Sequence, residues 1–282
     1  MAVSFRVAVE SARGAFRSFS WRIYLPLFAV LVVQALYLVL GLDLGRSAAM
    51  AIVGTISQLI AGESSVAYPA FLELLPLTFS YVEAITFVVL GAIALPLVVV
   101  RTLEQITVPP SDVVVDTESP RRAALPTFLA LAAGFALTFM AQQILVAYLR
   151  PAVGMVVRGA AQNLLIAWAM GVVATYAISA LFAYVPIVAV LEKAPPLKAL
   201  TKGIAEGRKR FLPTFAFLLL FSLPATFVQL ALQAGGVLVA ARTRPENIAL
   251  ILLAYAVFGS LATYYVWTMA TRFYRAKEVV RG

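Results

Sequence analysis

Between Ala123 and Leu149 the chain carries no charged side chain, and the same holds from Leu164 to Leu191 and from Phe211 to Ala241. Runs of this kind restrict the fold more than any motif does. A helix rises about 1.5 Å per residue, so about 20 apolar residues cross the roughly 30 Å hydrocarbon layer of a bilayer. Ile23 to Leu42 and Ile248 to Thr271 are further uncharged runs of that length. Ala84 to Val100 is shorter and reaches full length through Tyr81 if Glu83 lies near an interface. The expected fold is all-α: a polytopic membrane helix bundle of six transmembrane helices forming one integral membrane domain over residues 1–282. Composition agrees. Of the 282 residues 62% are hydrophobic and 12% charged, about half the charged share a water-soluble domain carries.

The stretch 47–80 allows two readings. Ala48 to Ala61 is apolar but short, and Phe71 to Leu77 contains Glu73 and Pro76. Interfacial or re-entrant helices are expected here; a seventh and eighth span is the alternative. Four arginines precede the first run, which is too long for a signal-peptide core, so a retained first helix is expected.

Basic residues orient the chain. With the N-terminus inside, only Arg46, Arg150, Arg158, Arg242 and Arg244 of the 22 Lys and Arg fall outside, as the positive-inside rule demands. The expected location is the cell membrane, multi-pass, with both termini cytoplasmic. The net charge of +9 then reflects orientation, and no nucleic-acid partner is expected. Two inner segments have helical amphipathic spacing. In the first, Phe5, Val9, Ala12, Phe16 and Phe19 oppose Arg6, Glu10, Arg13 and Arg17. In the second, Leu197, Leu200, Ile204 and Phe211 oppose Lys198, Lys202, Glu206 and Lys209. Both read as helices in the headgroup layer.

The odd-numbered spans open alike: Arg22 with Leu25-Pro26-Leu27-Phe28, Arg122 with Leu125-Pro126-Thr127-Phe128, and Arg210 with Leu212-Pro213-Thr214-Phe215. A proline in the first helical turn costs little, because its missing N–H has no partner there. Leu95-Pro96-Leu97-Val98-Val99-Val100 echoes Val185-Pro186-Ile187-Val188-Ala189-Val190, and each leads to a Pro pair. Three hairpin pseudo-repeats follow, at 1–108, 109–194 and 195–282. The run Val185 to Leu200, with Leu191-Glu192 and Ala199-Leu200, followed by a basic stretch and Phe211-Leu212-Pro213, resembles the multi-pass membrane domain of glycerophosphodiester phosphodiesterase-type proteins. It is also similar to related bacterial and archaeal membrane proteins of unknown function. The resemblance covers about residues 180 to 220 closely and the rest by layout. It implies the bundle and no activity, since these residues include no soluble phosphodiesterase domain.

Chemistry is narrowed by absences. With no Cys and no His, thiolate, imidazole, disulfide and Cys/His metal chemistry are excluded. No P-loop, Rossmann fingerprint, nucleophile elbow or carboxylate metal cluster is present. No cofactor, metal site or catalytic residue is expected. Polar residues inside the spans are the remaining candidates. Asp43, Gln142, Gln143 and Gln229 each lie about 24 Å beyond a repeat proline and could form a polar ring near the outer leaflet. Glu73 and Glu83 could form an outer-side acidic site for a proton or cation. Gln34 and Gln233 are further polar positions. Glu104 and Glu192 are expected to pair with Arg101 and Lys193. Gly91, Gly134, Gly171, Gly235 and Gly236 suit close helix contact. Trp21, Tyr24, Tyr148, Tyr184 and Trp267 suit aromatic belts. The expected function is non-enzymatic: organising lipids or partner proteins, with membrane lipids, another membrane protein or a second copy as partners. The alternative is a small-solute transporter or channel built on the polar ring.

Overall fold

A computed structural model describes residues 2–42, 54–55, 58–59, 70–106, 119–156, 160–242 and 247–279. The described residues form helices α1 (Ala2–Arg17), α2 (Trp21–Leu42), α3 (Ala70–Ile106), α4 (Ser119–Val156), α5 (Ala160–Phe182), α6 (Val185–Glu192), α7 (Pro196–Lys209), α8 (Phe211–Arg242) and α9 (Asn247–Val279). Six segments are long and apolar enough to cross a membrane: Trp21–Gly41, Thr78–Ile106, Pro120–Leu145, Ala169–Glu192, Phe211–Gln229 and Asn247–Ala276. This is the bundle of a multi-pass membrane protein. Large side chains such as Leu36, Val39, Ile85, Ile93, Met140 and Phe227 are exposed on its flanks, as a lipid-facing surface requires.

The spans close into a ring. In order round it come α2, α3, α4, α5 with α6, α8, α9 and again α2, while α3 and α9 also touch across the middle. Consecutive spans pair as α2 with α3, α4 with α5, and α8 with α9. An even number of crossings puts both chain ends on one side, called here the terminal face. Two buried clusters stack along the bundle. The larger lies toward the terminal face and draws buried residues from five of the six spans, with Tyr24, Leu95, Val98, Ala123, Tyr184, Ile187, Tyr264, Trp267 and Phe273, while Phe217 of α8 packs against it. The smaller, toward the opposite face, draws its buried residues from α2, α3 and α9, among them Tyr37, Leu38, Leu75, Phe79 and Leu252.

Several expectations are corrected. Phe71 to Leu77 is not a separate interfacial helix. It is the first part of α3, which runs unbroken through Pro76 and Pro96, and Leu75 and Phe79 anchor it in the second core. Ala48 to Ala61 lies largely outside the described residues. Pro26 is not in a first turn, because α2 begins at Trp21. Its missing N–H leaves the Arg22 carbonyl without a helical donor, and the Arg101 guanidinium donates to that oxygen instead.

The fourth span is broken where the second is not, although their prolines have similar neighbours. The helix stops at Phe182 and restarts at Val185. Pro186 cannot donate to the Phe182 carbonyl, and its ring crowds it. What settles the break is α7, which doubles back against it. A Cβ on Gly203 would sit 2.5 Å from the Val185 Cα, and one on Gly207 would collide with the Leu181 carbonyl. Lys193 caps α6 in the left-handed region at φ 48, and the Pro195-Pro196 pair then starts α7, with Pro196 in the first turn where a missing N–H costs nothing.

Both amphipathic helices form, seated differently from the expectation. α1 buries Ala8, Ser11, Ala12 and Ala15 against α9 and α8, so small residues, and not the phenylalanines, make the closest contact. Phe5 stacks on Phe217 and Phe16 on Tyr265, while Phe16 meets Phe221 at a tilt. Phe5 and Phe16 are about 16 Å apart along α1 while their partners are about 6 Å apart along α8, so α1 crosses the bundle transversely. α7 buries Ala199, Gly203, Glu206 and Gly207 and leaves Leu197 74% exposed. Glu206 therefore belongs to the buried face, not to the outer polar one.

Candidate functional site

Two groups of polar residues stand out, one within the spans and one at the terminal face. The first starts at Gln34 of α2, which is buried and whose amide donates to Thr86 Oγ1 of α3 at 3.3 Å. Thr86 Oγ1 in turn donates to the carbonyls of Val82 at 2.7 Å and Glu83 at 3.0 Å. One turn along, the Glu83 carboxyl takes a hydrogen bond from the Tyr255 hydroxyl of α9. Tyr176 of α5 lies near enough to Tyr255 to interact electrostatically with it. The Tyr176 hydroxyl meets Thr226 Oγ1 of α8 at 2.7 Å, and Thr226 donates to the Ser222 carbonyl at 2.8 Å.

This belt joins five of the six spans. Each member lies about 5–12 Å from the end of its span on the face opposite the termini. It also sits at the seam between the two cores. On α3 the second core reaches Val82 and the first resumes at Phe87; on α9 the change falls between Ala256 and Leu261. Glu83 and Tyr255 are partly exposed, so the seam is not fully packed around them. A carboxyl here is costly to keep unless a polar partner or a bound cation compensates it. Among the described residues Tyr255 is the side chain that hydrogen-bonds it.

The ring expected from proline spacing does not assemble. Gln142 and Gln143 are exposed and Gln229 is partly exposed. Among the described residues these three share no hydrogen bond with one another. Gln142 lies against Gly171 of α5, and α5 stands between α4 and α8, separating Gln142 from Gln229. Asp43 and the side chains of Glu73 and Gln233 lie outside the described residues. Of the expected polar positions, the belt includes Glu83 and Gln34.

The second group lies at the start of α8. Arg210, 4% exposed, pairs with Glu206 and lies over the rings of Tyr184, Phe273 and Tyr274, with 4.7 Å to the centroid of the last. Lys209 Nζ reaches Glu206 at 2.7 Å, and the Tyr184 hydroxyl meets Thr214 Oγ1 at 2.8 Å. Burial opposes charge on Glu206, but the Lys209 and Arg210 contacts outweigh it and hold the carboxyl below the usual carboxylate range. Glu192 pairs with Lys202 at 2.7 Å and accepts a hydrogen bond from the Tyr274 hydroxyl at 3.1 Å; the expected pairing was with Lys193. Arg101 donates to the Arg22 carbonyl where pairing with Glu104 was expected. Tyr184 and Tyr24 are buried core residues and not belt residues, and Trp267 is nearly so, whereas Trp21 is 66% exposed.

These groups have different chemical capacities. The Arg210 cluster is closed by its own ion pairs and rings and acts as a clamp on the α7–α8 joint. The Glu83 belt has an acid, four hydroxyls and an amide within the membrane-spanning layer, which suits a proton or a small cation. Among the described residues no group of three metal-ligating side chains occurs. No family model, curated protein or solved structure matches the chain.

Proposed function

We propose that this protein is a non-enzymatic carrier or channel for a small cation or a proton, residing in the cell membrane with both termini cytoplasmic. The observation that carries the reading is the Glu83–Tyr255 pair within the membrane-spanning layer, set in a polar belt shared by five spans. An ionisable group at that depth is expensive, and in membrane proteins such groups mark ion and proton paths. The stacking of the cores adds direction. The larger core closes the bundle between the belt and the terminal face, while the buried residues on the other side come from three helices. Access is thus expected from the opposite face.

The test is flux in vesicles reconstituted with the full chain, read with a proton-sensitive dye and with sodium, potassium and ethylammonium gradients. Flux above that of protein-free vesicles, lost in Glu83→Gln, is the expected result. Vesicles as tight as the protein-free ones for every cation would sink the reading.

A second reading, organisation of lipids or of a partner protein, is favoured by a separate observation. α1 and α7 both press a small-residue face on the bundle, expose apolar side chains such as Phe5, Phe16 and Leu197, and turn Arg or Lys outward. That is the pattern of helices lying at an anionic membrane surface. Co-purification of a stoichiometric anionic lipid in mild detergent supports it; delipidated, monomeric protein of unchanged stability would count against it.

A further inference from the structure

The turn between α1 and α2 is held by arginines that neutralise nothing. Arg272 of α9 donates through Nη2 to Ser18 Oγ at 2.6 Å and to Gln105 Oε1 of α3 at 3.1 Å. Gln105 donates back to the Ser18 carbonyl at 3.3 Å. One turn before Gln105, Arg101 donates to the Arg22 carbonyl, the oxygen that Pro26 leaves free. The Arg272 guanidinium also lies against Gly14 of α1, 3.1 Å from where a Cβ would stand. Two arginines, from α3 and α9, thus both brace the α1–α2 turn, one at each end of it, and Arg22, whose carbonyl Arg101 holds, is exposed. Arg22, Arg101 and Arg272 form no ion pair with a described carboxylate, although ion pairs do form nearby at Glu192 and Glu206.

Like charges gathered at one turn repel unless an anion lies between them. Neutral acceptors — a serine hydroxyl, a glutamine oxygen and a backbone carbonyl — fix the guanidiniums without cancelling their charge. Arg22 is exposed and Arg101 partly exposed, and a guanidinium has more donors than the one bond of Arg101 to the Arg22 carbonyl uses. Phe19 and Trp21 stack edge-on with ring centroids 5.5 Å apart and are both exposed, placing amphipathic rings beside the cluster. Aromatic side chains of this kind favour the headgroup level of a bilayer, and paired guanidiniums match the oxygens of phosphate.

From this arrangement we infer that the turn Ser18–Arg22, with Arg101 and Arg272, forms a binding site for a phosphate group at the terminal face. The group can be the phosphodiester of an anionic lipid or free phosphate. The site lies far from the Glu83 belt and is independent of cation flux. It deepens the lipid-facing reading by naming the chemistry that would hold the headgroup, and in its lipid form it rests on that reading.

The test uses the full chain, delipidated in neutral detergent. Dioleoylphosphatidylglycerol, zwitterionic dioleoylphosphatidylcholine and inorganic phosphate are titrated separately. Binding is followed by native mass spectrometry and by thermal unfolding. Saturable binding of phosphatidylglycerol or of inorganic phosphate is expected, and whichever binds identifies the source. Arg22→Gln/Arg101→Gln should weaken it about tenfold or more. Because Arg101 also braces α2, Arg22→Gln alone is the second variant. Its side chain makes no contact that the fold requires, so it should weaken binding with an unchanged unfolding temperature in the absence of anion. Binding that neither variant weakens would overturn the site while leaving the lipid-facing reading intact. No saturable binding of either anion overturns the site outright, while the lipid-facing reading falls only if no anionic lipid co-purifies before delipidation.

Discussion

At the scale of single residues, Glu206 and Glu83 are built for different ends, and their variants should separate. Glu206 is held by Arg210 and Lys209, and Arg210 is almost wholly buried. Removing one partner of a buried pair strands the other, at a cost of about 3–5 kcal/mol. Glu206→Gln is therefore expected to destabilise strongly in chemical or thermal unfolding, while Glu206→Leu/Arg210→Met recovers much of the loss. A double variant as unstable as the single one would contradict the account. The pH dependence has a definite sign. Because the Glu206 carboxyl titrates below its ordinary range when folded, its stabilisation is complete above the unfolded value of about 4.3 and is lost as pH falls through the folded one. Acid unfolding should be shallower in Glu206→Gln. At Glu83, by contrast, Gln can still accept the Tyr255 hydrogen bond, so Glu83→Gln should keep the fold. Tyr255→Phe should cost about 0.6–1.7 kcal/mol, the range for hydrogen bonds between membrane helices. Of this chemistry the sequence discloses two members, Glu83 and Gln34. A glutamate in an apolar run is visible as an anomaly, but Tyr255, Tyr176 and Thr226 look like ordinary belt or helix residues, and no local spacing ties them to it. The proline-anchored count that singled out Gln142 and Gln229 assumed that equal distance along a helix means shared surroundings; α5 stands between them.

At the scale of elements, length and apolarity determine the six spans, while neighbours determine where a helix breaks or how it seats. Pro96 and Pro186 have similar flanks, yet α3 continues and the fourth span stops. The difference comes from α7, whose Gly203 and Gly207 approach the Val185 and Leu181 backbone more closely than any side chain permits. No window around either proline contains that information. The same glycines read as neutral in an amphipathic pattern that follows Leu197, Leu200 and Ile204. Gly203→Ala and Gly207→Ala should each force α7 off the break, at about 1–3 kcal/mol of overpacking or more. Gly259→Ala is the contrast. Nothing lies within 4 Å of its Cβ position, and a helical Gly→Ala change gains up to about 1 kcal/mol. Unfolding temperatures in one detergent should order as Gly259→Ala at or above the parent, with Gly203→Ala and Gly207→Ala well below. Equal values for all three would mean that the α7 contact is not close.

At the scale of the whole molecule, orientation is read from the charge at the two ends of the ring. Residues that meet at the terminal face include Arg22, Arg101, Lys202, Arg208, Arg210 and Arg272, and two amphipathic helices lie along it. The ends of α4 and α8 that carry Arg150 and Arg242 lie at the other end. Translocation of a segment is opposed by Lys and Arg near the ends of its spans, so the terminal face is expected on the cytoplasmic side. The chain lends itself to a direct check, because it contains no cysteine and every label introduced reports one position. Cys placed at Glu63 or Gly154 should react with an impermeant thiol reagent on intact cells. Cys at Ala205 or Gly282 should react only after lysis. Ala205 is the decisive position. It lies on α7, between the fourth and fifth spans, and an inverted chain would expose it together with the tail. Labelling at Ala205 and Gly282 on intact cells, with protection at Glu63 and Gly154, would reverse the orientation and place the mouth of the Glu83 belt on the cytoplasmic side. Labelling at Ala205 with protection at Gly282 would break the six-crossing count itself, since two spans lie between these positions and return the chain to the same side.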